Sequence, residues 1–197
     1  MRRSLLIVSV PLMFLITALL QPGVGWSADN PRPHSPVVDS LRSVTLRALT
    51  PDEIITCERV RQMQIRQMPF RMFDARGKNV YDFSHIEGAT MPVDDEFFER
   101  LEMSKRQVIS VPPDPDEYLE RYTAKIPRET RIVTYCDPGC QSSVILMLKL
   151  KVLGFKNVKV MLEGFKTWQQ KGYPATVGTP HLESGLTAKM SAAAPKK

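Results

Sequence analysis

Cys136 ends a β-branched run, Ile132-Val133-Thr134-Tyr135, and opens the segment Asp137-Pro138-Gly139-Cys140-Gln141-Ser142-Ser143. An apolar helical pattern follows at once. This order places a thiol at the end of a buried strand, in a tight loop, just ahead of a helix N-terminus. Backbone N–H groups converge there and the helix dipole is positive, so an anion is favoured. A free thiol of pKa near 8.5 is only ~3% thiolate at pH 7, and such a setting lowers that pKa by one to several units. The chemistry to expect is nucleophilic attack by sulfur. Cys140 lies four residues on. It is a resolving thiol that closes a reversible disulfide, half of a permanent disulfide, or an incidental small residue. Bridging needs Cα atoms within about 7 Å, which a curled loop provides.

The elements that must hold this loop follow from pattern and punctuation. Strands are expected at Val44–Leu46, Phe70–Asp74, Arg131–Tyr135 and Asn157–Met161. Helices are expected at Thr50–Gln64 (Thr50 as N-cap, Pro51 first, Glu53 third), Asp94–Met103, Asp116–Lys125, Ser142–Leu153 (closed by Gly154) and Phe165–Lys171. Ser104–Asp116, with Pro112, Pro113 and Pro115, reads as loop. Strands alternating with helices give an α/β fold, a mostly parallel central sheet with helices on both faces. Ligands in such sheets sit beyond the carboxyl ends of the strands, where Cys136 falls.

The ends bound the rest. Met1-Arg2-Arg3, an apolar run from Leu5 to Leu20 and the small residues up to Ala28 read as a signal peptide over residues 1–28. The rival is an uncleaved anchor at residues 5–20, although 16 residues fall short of the ~20 of a spanning helix and Pro11 interrupts them. The expected location is therefore exported, periplasmic, with a membrane partner only if the segment stays. Residues 29–42 carry three prolines and read as a linker, 43–177 as the folded domain, and 178–197 as a disordered tail. Formal charge is +6, falling to +4 without Arg2 and Arg3. The basic residues are scattered without interleaved aromatics, which argues against nucleic-acid binding. An exported chain with three cysteines leaves one unpaired or all free. Cys57 is expected as a core thiol, Trp168 as packing for its short helix, and the methionines as core filler. His85 has no metal-ligand spacing to His34 or His181, so no metal and no cofactor is expected.

Three ordered segments resemble the rhodanese (sulfurtransferase) domain. They are Asp74-Ala75-Arg76 with Ser84-His85-Ile86-Glu87-Gly88-Ala89; Tyr135-Cys136-x-x-Gly139 opening a helix that ends Leu153-Gly154-Phe155; and Leu162-Glu163-Gly164-Phe165 with Trp168 and Gly172-Tyr173-Pro174. The resemblance implies that Cys136 takes a sulfane sulfur as a persulfide and passes it to a nucleophile. A small sulfur-containing donor and a thiol or protein acceptor would be its partners, with residues 137–143 as the substrate-binding loop. Three departures accompany it: Ser84 and Phe165 stand where the family usually has glycine, and Gln141 where many members carry arginine. Gln141 and the carboxylate of Asp137 both disfavour a dianion such as thiosulfate. Arg76 either supplies positive charge to the loop or ties the Asp74 strand end to the next turn. A thiol–disulfide or persulfide relay through Cys136 and Cys140, and a non-catalytic binding module, are the alternatives.

Overall fold

The computed structural model describes residues 35–178. The elements are α1 (Pro36–Arg42), α2 (Cys57–Ile65), β1 (Arg71–Asp74), α3 (Lys78–Phe83), β2 (Ser84–Ile86), β3 (Ala89–Thr90), α4 (Asp95–Lys105), α5 (Pro115–Thr123), β4 (Ile132–Tyr135), α6 (Ser142–Val152), β5 (Val158–Met161), α7 (Gly164–Gln170) and β6 (Ala175–Val177). The expected signal or anchor, the first part of the expected linker and the tail from residue 179 lie outside the described residues.

Strands β3, β1, β4 and β5 form one parallel sheet in that order. The register sets Met72 beside Val133 and Phe73 beside Thr134. Successive side chains point to opposite faces, so each strand feeds two cores. Phe73, Ile132, Val158 and Val160 join Leu41, Leu119, Met147 and Leu150 on one face. Met72, Val133, Tyr135 and Met161 join Val60, Ile86, Phe165 and Trp168 on the other. Burial on both faces explains why β4 reads as a continuous apolar run. Each fully buried Leu, Ile or Phe contributes about 1.5–3 kcal/mol.

The chain leaves β1 toward β3 on one side and leaves β4 toward β5 on the other. The connections therefore diverge between β1 and β4, which opens a crevice beyond their carboxyl ends. Asp74 and Tyr135 are paired at that rim, and Cys136 follows directly.

Three expectations need correction. Residues 36–42 are a helix, not linker: Ser35 caps it by accepting from the Val38 amide, Pro36 takes the first turn, and Val38 and Leu41 are buried. The proline that suggested a linker sits where a helix tolerates it. Val44–Leu46 forms no strand. The helix expected from Thr50 to Gln64 is broken. Pro51–Glu53 make one 3₁₀ turn, Ile54 bridges Val160, the Ile55 amide donates to the Val160 carbonyl at 3.0 Å, and α2 starts afresh with Thr56 as its cap. Sheet pairing here outweighs helical continuity. The short antiparallel ribbon of β2 and β6 was not anticipated.

Glu53 fixes this break. Its carboxylate accepts from Arg47 at 2.5 and 2.9 Å and from the Thr50 amide at 2.9 Å, and it pairs with Lys151 of α6. The bonds from Arg47, then those from Lys151 and Thr50, hold its carboxyl well below the usual carboxylate range. A depressed carboxyl contributes stability that is fully present above the unfolded value of about 4.3 and is lost as pH falls below it. Glu53→Gln is therefore expected to lower stability at neutral pH and to flatten the acid side of the stability–pH curve. Urea unfolding measured from about pH 7 down to about pH 3 checks both effects.

Candidate active site

Strand β4 delivers Cys136 to the crevice, where it is 4% exposed. The loop then turns outward, leaving Asp137, Pro138 and Gly139 exposed and Cys140 half-buried. Gly139 takes φ +80°, a conformation that favours glycine, and the Cys140 amide donates to the Asp137 carbonyl at 3.1 Å. This turn folds Cys140 back on Cys136. The two are joined in a disulfide with Cα atoms 6.0 Å apart. Of the three roles open to Cys140, the unbonded one is excluded in this state.

Helix α6 starts at Ser142, and its first amides have no partner within the helix. Gln141 and Ser142 are exposed, whereas Ser143 is 2% exposed. Thr134 ties this start to the sheet by donating its hydroxyl to the Ser143 carbonyl at 2.9 Å. Strand end, loop and helix start are thus one fixed unit, with the disulfide in the loop that leads directly into the first turn of α6.

A turn from the far side supports the loop. The Phe165 amide donates to the Cys136 carbonyl at 2.8 Å. Gly164 has φ +69°, and a Cβ there would lie 2.5 Å from the Cys136 carbonyl oxygen and 2.9 Å from Pro138 N. Both its conformation and its clearance require glycine. Phe165, which stands where the resemblance has a second glycine, places its ring 4.0 Å from the Arg76 guanidinium carbon.

Arg76 is 6% exposed and grips Asp74, with Nε at 3.0 Å from Oδ1 and Nη2 at 2.6 Å from Oδ2. Nη2 also donates to the Ser84 carbonyl at 2.7 Å. Only Nη1 reaches the loop, 3.8 Å from Asp137 Oδ1. Arg76 therefore ties the strand end to the turn and partly offsets the Asp137 charge. Tyr135 completes the group: its hydroxyl donates to Asp74 Oδ2 at 2.6 Å and accepts from the Ile86 amide at 3.2 Å. Burial, then the Asp74 carboxylate, push the Tyr135 phenol far above its ordinary range. Sequence reasoning missed Tyr135 and Asp74 as a pair. The available signal was a polar residue closing each of two otherwise apolar strands.

Cys57 lies in the same core cluster as Tyr135, Phe165 and Trp168, wholly buried. Burial, with Glu163 beside it, pushes its thiol up to about 12. Glu163, also missed, accepts from the Cys57 amide at 2.6 Å. His85 stacks on Tyr81 and its Nδ1 lies 2.8 Å from the Tyr81 carbonyl oxygen, which fastens the turn into β2. Trp168 is fully buried and donates to the Pro174 carbonyl at 2.9 Å. Ser84 Oγ is buried without a partner where the resemblance has glycine. Among the described residues no group of His, Cys, Asp and Glu could hold a metal ion, and no helix is long and apolar enough to cross a membrane.

A cavity of about 260 Å³ adjoins the loop between β1, α5 and α6, lined by Asp74, Arg76, Met91, Leu119, Ser142 and Ile145 among others. A second, of about 610 Å³, lies at the amino ends of the strands beside Arg71, Arg131 and Asn157. Cys136 follows the carboxyl end of β4, so the larger cavity is remote from it.

The model of the rhodanese-like domain family matches residues 56–171. A Bacillus halodurans protein of known structure is 20% identical, with 66% of this chain covering 79% of that one at a TM-score of 0.50. The rhodanese-like domain of an Anabaena protein is 19% identical, with 68% covering 84% at 0.47. A human single-domain sulfurtransferase is 18% identical, with 60% covering 96% at 0.41. These likenesses concern the fold. No curated protein sequence matches the chain.

Two substitutions test the geometry. Arg76→Met strands the buried Asp74 carboxylate and is expected to cost about 3–5 kcal/mol in denaturant unfolding. Gly164→Ala forces a methyl against the Cys136 carbonyl and is expected to cost about 2–4 kcal/mol. It should also alter the alkylation rate of reduced Cys136, which Ala at exposed Gly77 should leave unchanged.

Proposed function

The chain belongs to the rhodanese-like domain family, and from that premise we propose that it is an exported sulfurtransferase with Cys136 as nucleophile. The observation that carries this reading is the position of Cys136: it closes β4 at the divergent crevice, ahead of the α6 N-terminus, on a backbone clamped by Gly164 and Phe165. The Cys136 thiolate attacks the sulfane sulfur of a donor R–S–SH. The donor S–S bond breaks, R–S⁻ leaves, and Cys136 holds a persulfide. An acceptor thiolate then takes the outer sulfur and returns Cys136 as thiolate. Converging N–H groups at the loop and helix start stabilise the anionic persulfide between these steps.

The donor class follows from charge. Loop residues 137–143 carry no cation, Arg76 is committed to Asp74, and Asp137 is half-exposed. A singly charged persulfide suits this loop better than a dianion. The Cys136–Cys140 bond also favours a second activity, thiol–disulfide exchange with a protein partner, and means that the loop must be opened by a reductant before Cys136 can react.

With protein reduced and desalted and cyanide in large excess, so that it captures the outer sulfur before the disulfide closes, thiocyanate formation is expected with glutathione persulfide, and more weakly with thiosulfate. Cys136→Ser should abolish both. Asp137→Asn should raise kcat/KM for thiosulfate a few-fold, as befits a solvent-screened carboxylate worth about 1 kcal/mol or less. Equal rates in wild type and Cys136→Ser with both donors would end the proposal.

A further inference from the structure

The disulfide records where Cys140 sits relative to the sulfur of Cys136. The turn at Asp137–Cys140 and the left-handed Gly139 bring the two side chains together on a backbone already fixed by β4, α6 and Gly164. When the bond is open, the Cys140 sulfur therefore lies next to Cys136 Sγ. A persulfide on Cys136 has two sulfurs, and these have different fates. An acceptor arriving from solvent meets the outer one. Cys140, held beside the Cys136 side chain, meets the inner one.

We infer that Cys140 is a second catalytic thiol, which attacks Cys136 Sγ of the persulfide, expels the outer sulfur as hydrosulfide, and commits the enzyme to a dithiol reductant for its next turnover. The inference rests on the sulfur-transfer reading of Cys136.

The step balances. The Cys140 thiolate forms a bond to Cys136 Sγ of the protonated persulfide Cys136–S–SH, the bond from that sulfur to the outer sulfur breaks, and HS⁻ leaves with the electron pair and the proton it already carried. The sulfane sulfur is reduced to sulfide while two cysteine thiols are oxidised to one disulfide. Proximity makes the step unimolecular, so it outruns transfer to a dilute acceptor.

The return step also has a direction. Cys140 is half-buried and Cys136 is 4% exposed, so an incoming thiolate reaches Cys140 first. Attack there leaves Cys136 as the departing thiolate, at the positive end of α6 where an anion is stabilised. The reductant is then joined to Cys140 by a mixed disulfide. A second thiol on the same molecule closes it without another encounter, which is why a dithiol is the fitting class. Cys57 cannot take either role, because it is wholly buried in a core cluster and outside the disulfide.

Full-length wild type and Cys140→Ser, each reduced and desalted, are mixed with stoichiometric glutathione persulfide and no other thiol. Intact mass and released hydrosulfide are followed together. Wild type is expected to release one hydrosulfide per chain and to end at the mass of the disulfide form. Cys140→Ser is expected to keep the mass of one added sulfur and to release hydrosulfide roughly tenfold more slowly or worse. Cys140→Ala should match Cys140→Ser. A stable persulfide on wild type, with hydrosulfide release equal to that of the variants, overturns the inference and leaves sulfur transfer by Cys136 standing. Failure of all three proteins to gain sulfur or release hydrosulfide overturns both.

Discussion

The buried pair of Asp74 and Arg76 is the constraint on which the site depends. It sits at the carboxyl end of β1, with Asp74 fully buried and directly opposite Tyr135 of β4. Through it, four elements acquire a fixed relation. Tyr135 is bonded to Asp74, the Ile86 amide of β2 to Tyr135, the Ser84 carbonyl to Arg76, and the Phe165 ring of α7 stacks on the guanidinium. Burying two charges is expensive, and well-packed apolar side chains of similar volume would serve stability as well or better. Apolar side chains have no direction, however. The ion pair and its hydrogen bonds fix which residue of β1 faces which residue of β4, and Cys136 is the residue after Tyr135.

The same pair decides what the loop can bind. A guanidinium committed to a carboxylate, a carbonyl and a ring has one nitrogen left near the loop, and that nitrogen lies by Asp137. Residues 137–143 include no cationic side chain, so in the proposed reaction peptide dipoles are the loop's means of holding an anion. Oriented amides stabilise one negative charge on a sulfur well, and they do so without the long-range attraction that draws a dianion from solution. Structural use of Arg76 and the proposed preference for singly charged sulfur donors have one cause.

The position of Cys136 was legible because each signal for it is local. A β-branched run, a left-handed glycine and a helix closed by Gly154 specify strand, loop and helix without tertiary information. The misreadings arose where distant contacts decide. Pro36 reads as a linker residue unless the burial of Val38 and Leu41 and the packing of α1 against α5 and α6 are known. Thr50-Pro51-Asp52-Glu53 has the chemistry of a helix start and does begin one turn. The chain then leaves the helix because Ile54 and Ile55 extend the sheet beside β5. Strands β2 and β6 are three residues each, and β6 is largely exposed, so neither shows an alternation long enough to detect. In the site itself, the residue types named from sequence are those that project into the loop. Tyr135, Glu163 and the clearance at Gly164 were hidden because they act from beneath it.

Glu163, Gly164 and Phe165 show how one turn keeps the thiols apart. Gly164 and the Phe165 amide press on the backbone of Cys136 and Pro138, which fixes the chain that carries the Cys136 sulfur. Glu163, one residue earlier, points the other way and accepts from the Cys57 amide, with the thiol of Cys57 enclosed beside its carboxylate. A carboxylate next to a buried thiol opposes thiolate formation. Disulfide exchange proceeds only through a thiolate with access to a disulfide. In the oxidising compartment proposed for this protein, an odd cysteine would ordinarily scramble the bond between the other two. Here it lacks both the ionisation and the access, which keeps the proposed sulfur chemistry to Cys136 and Cys140.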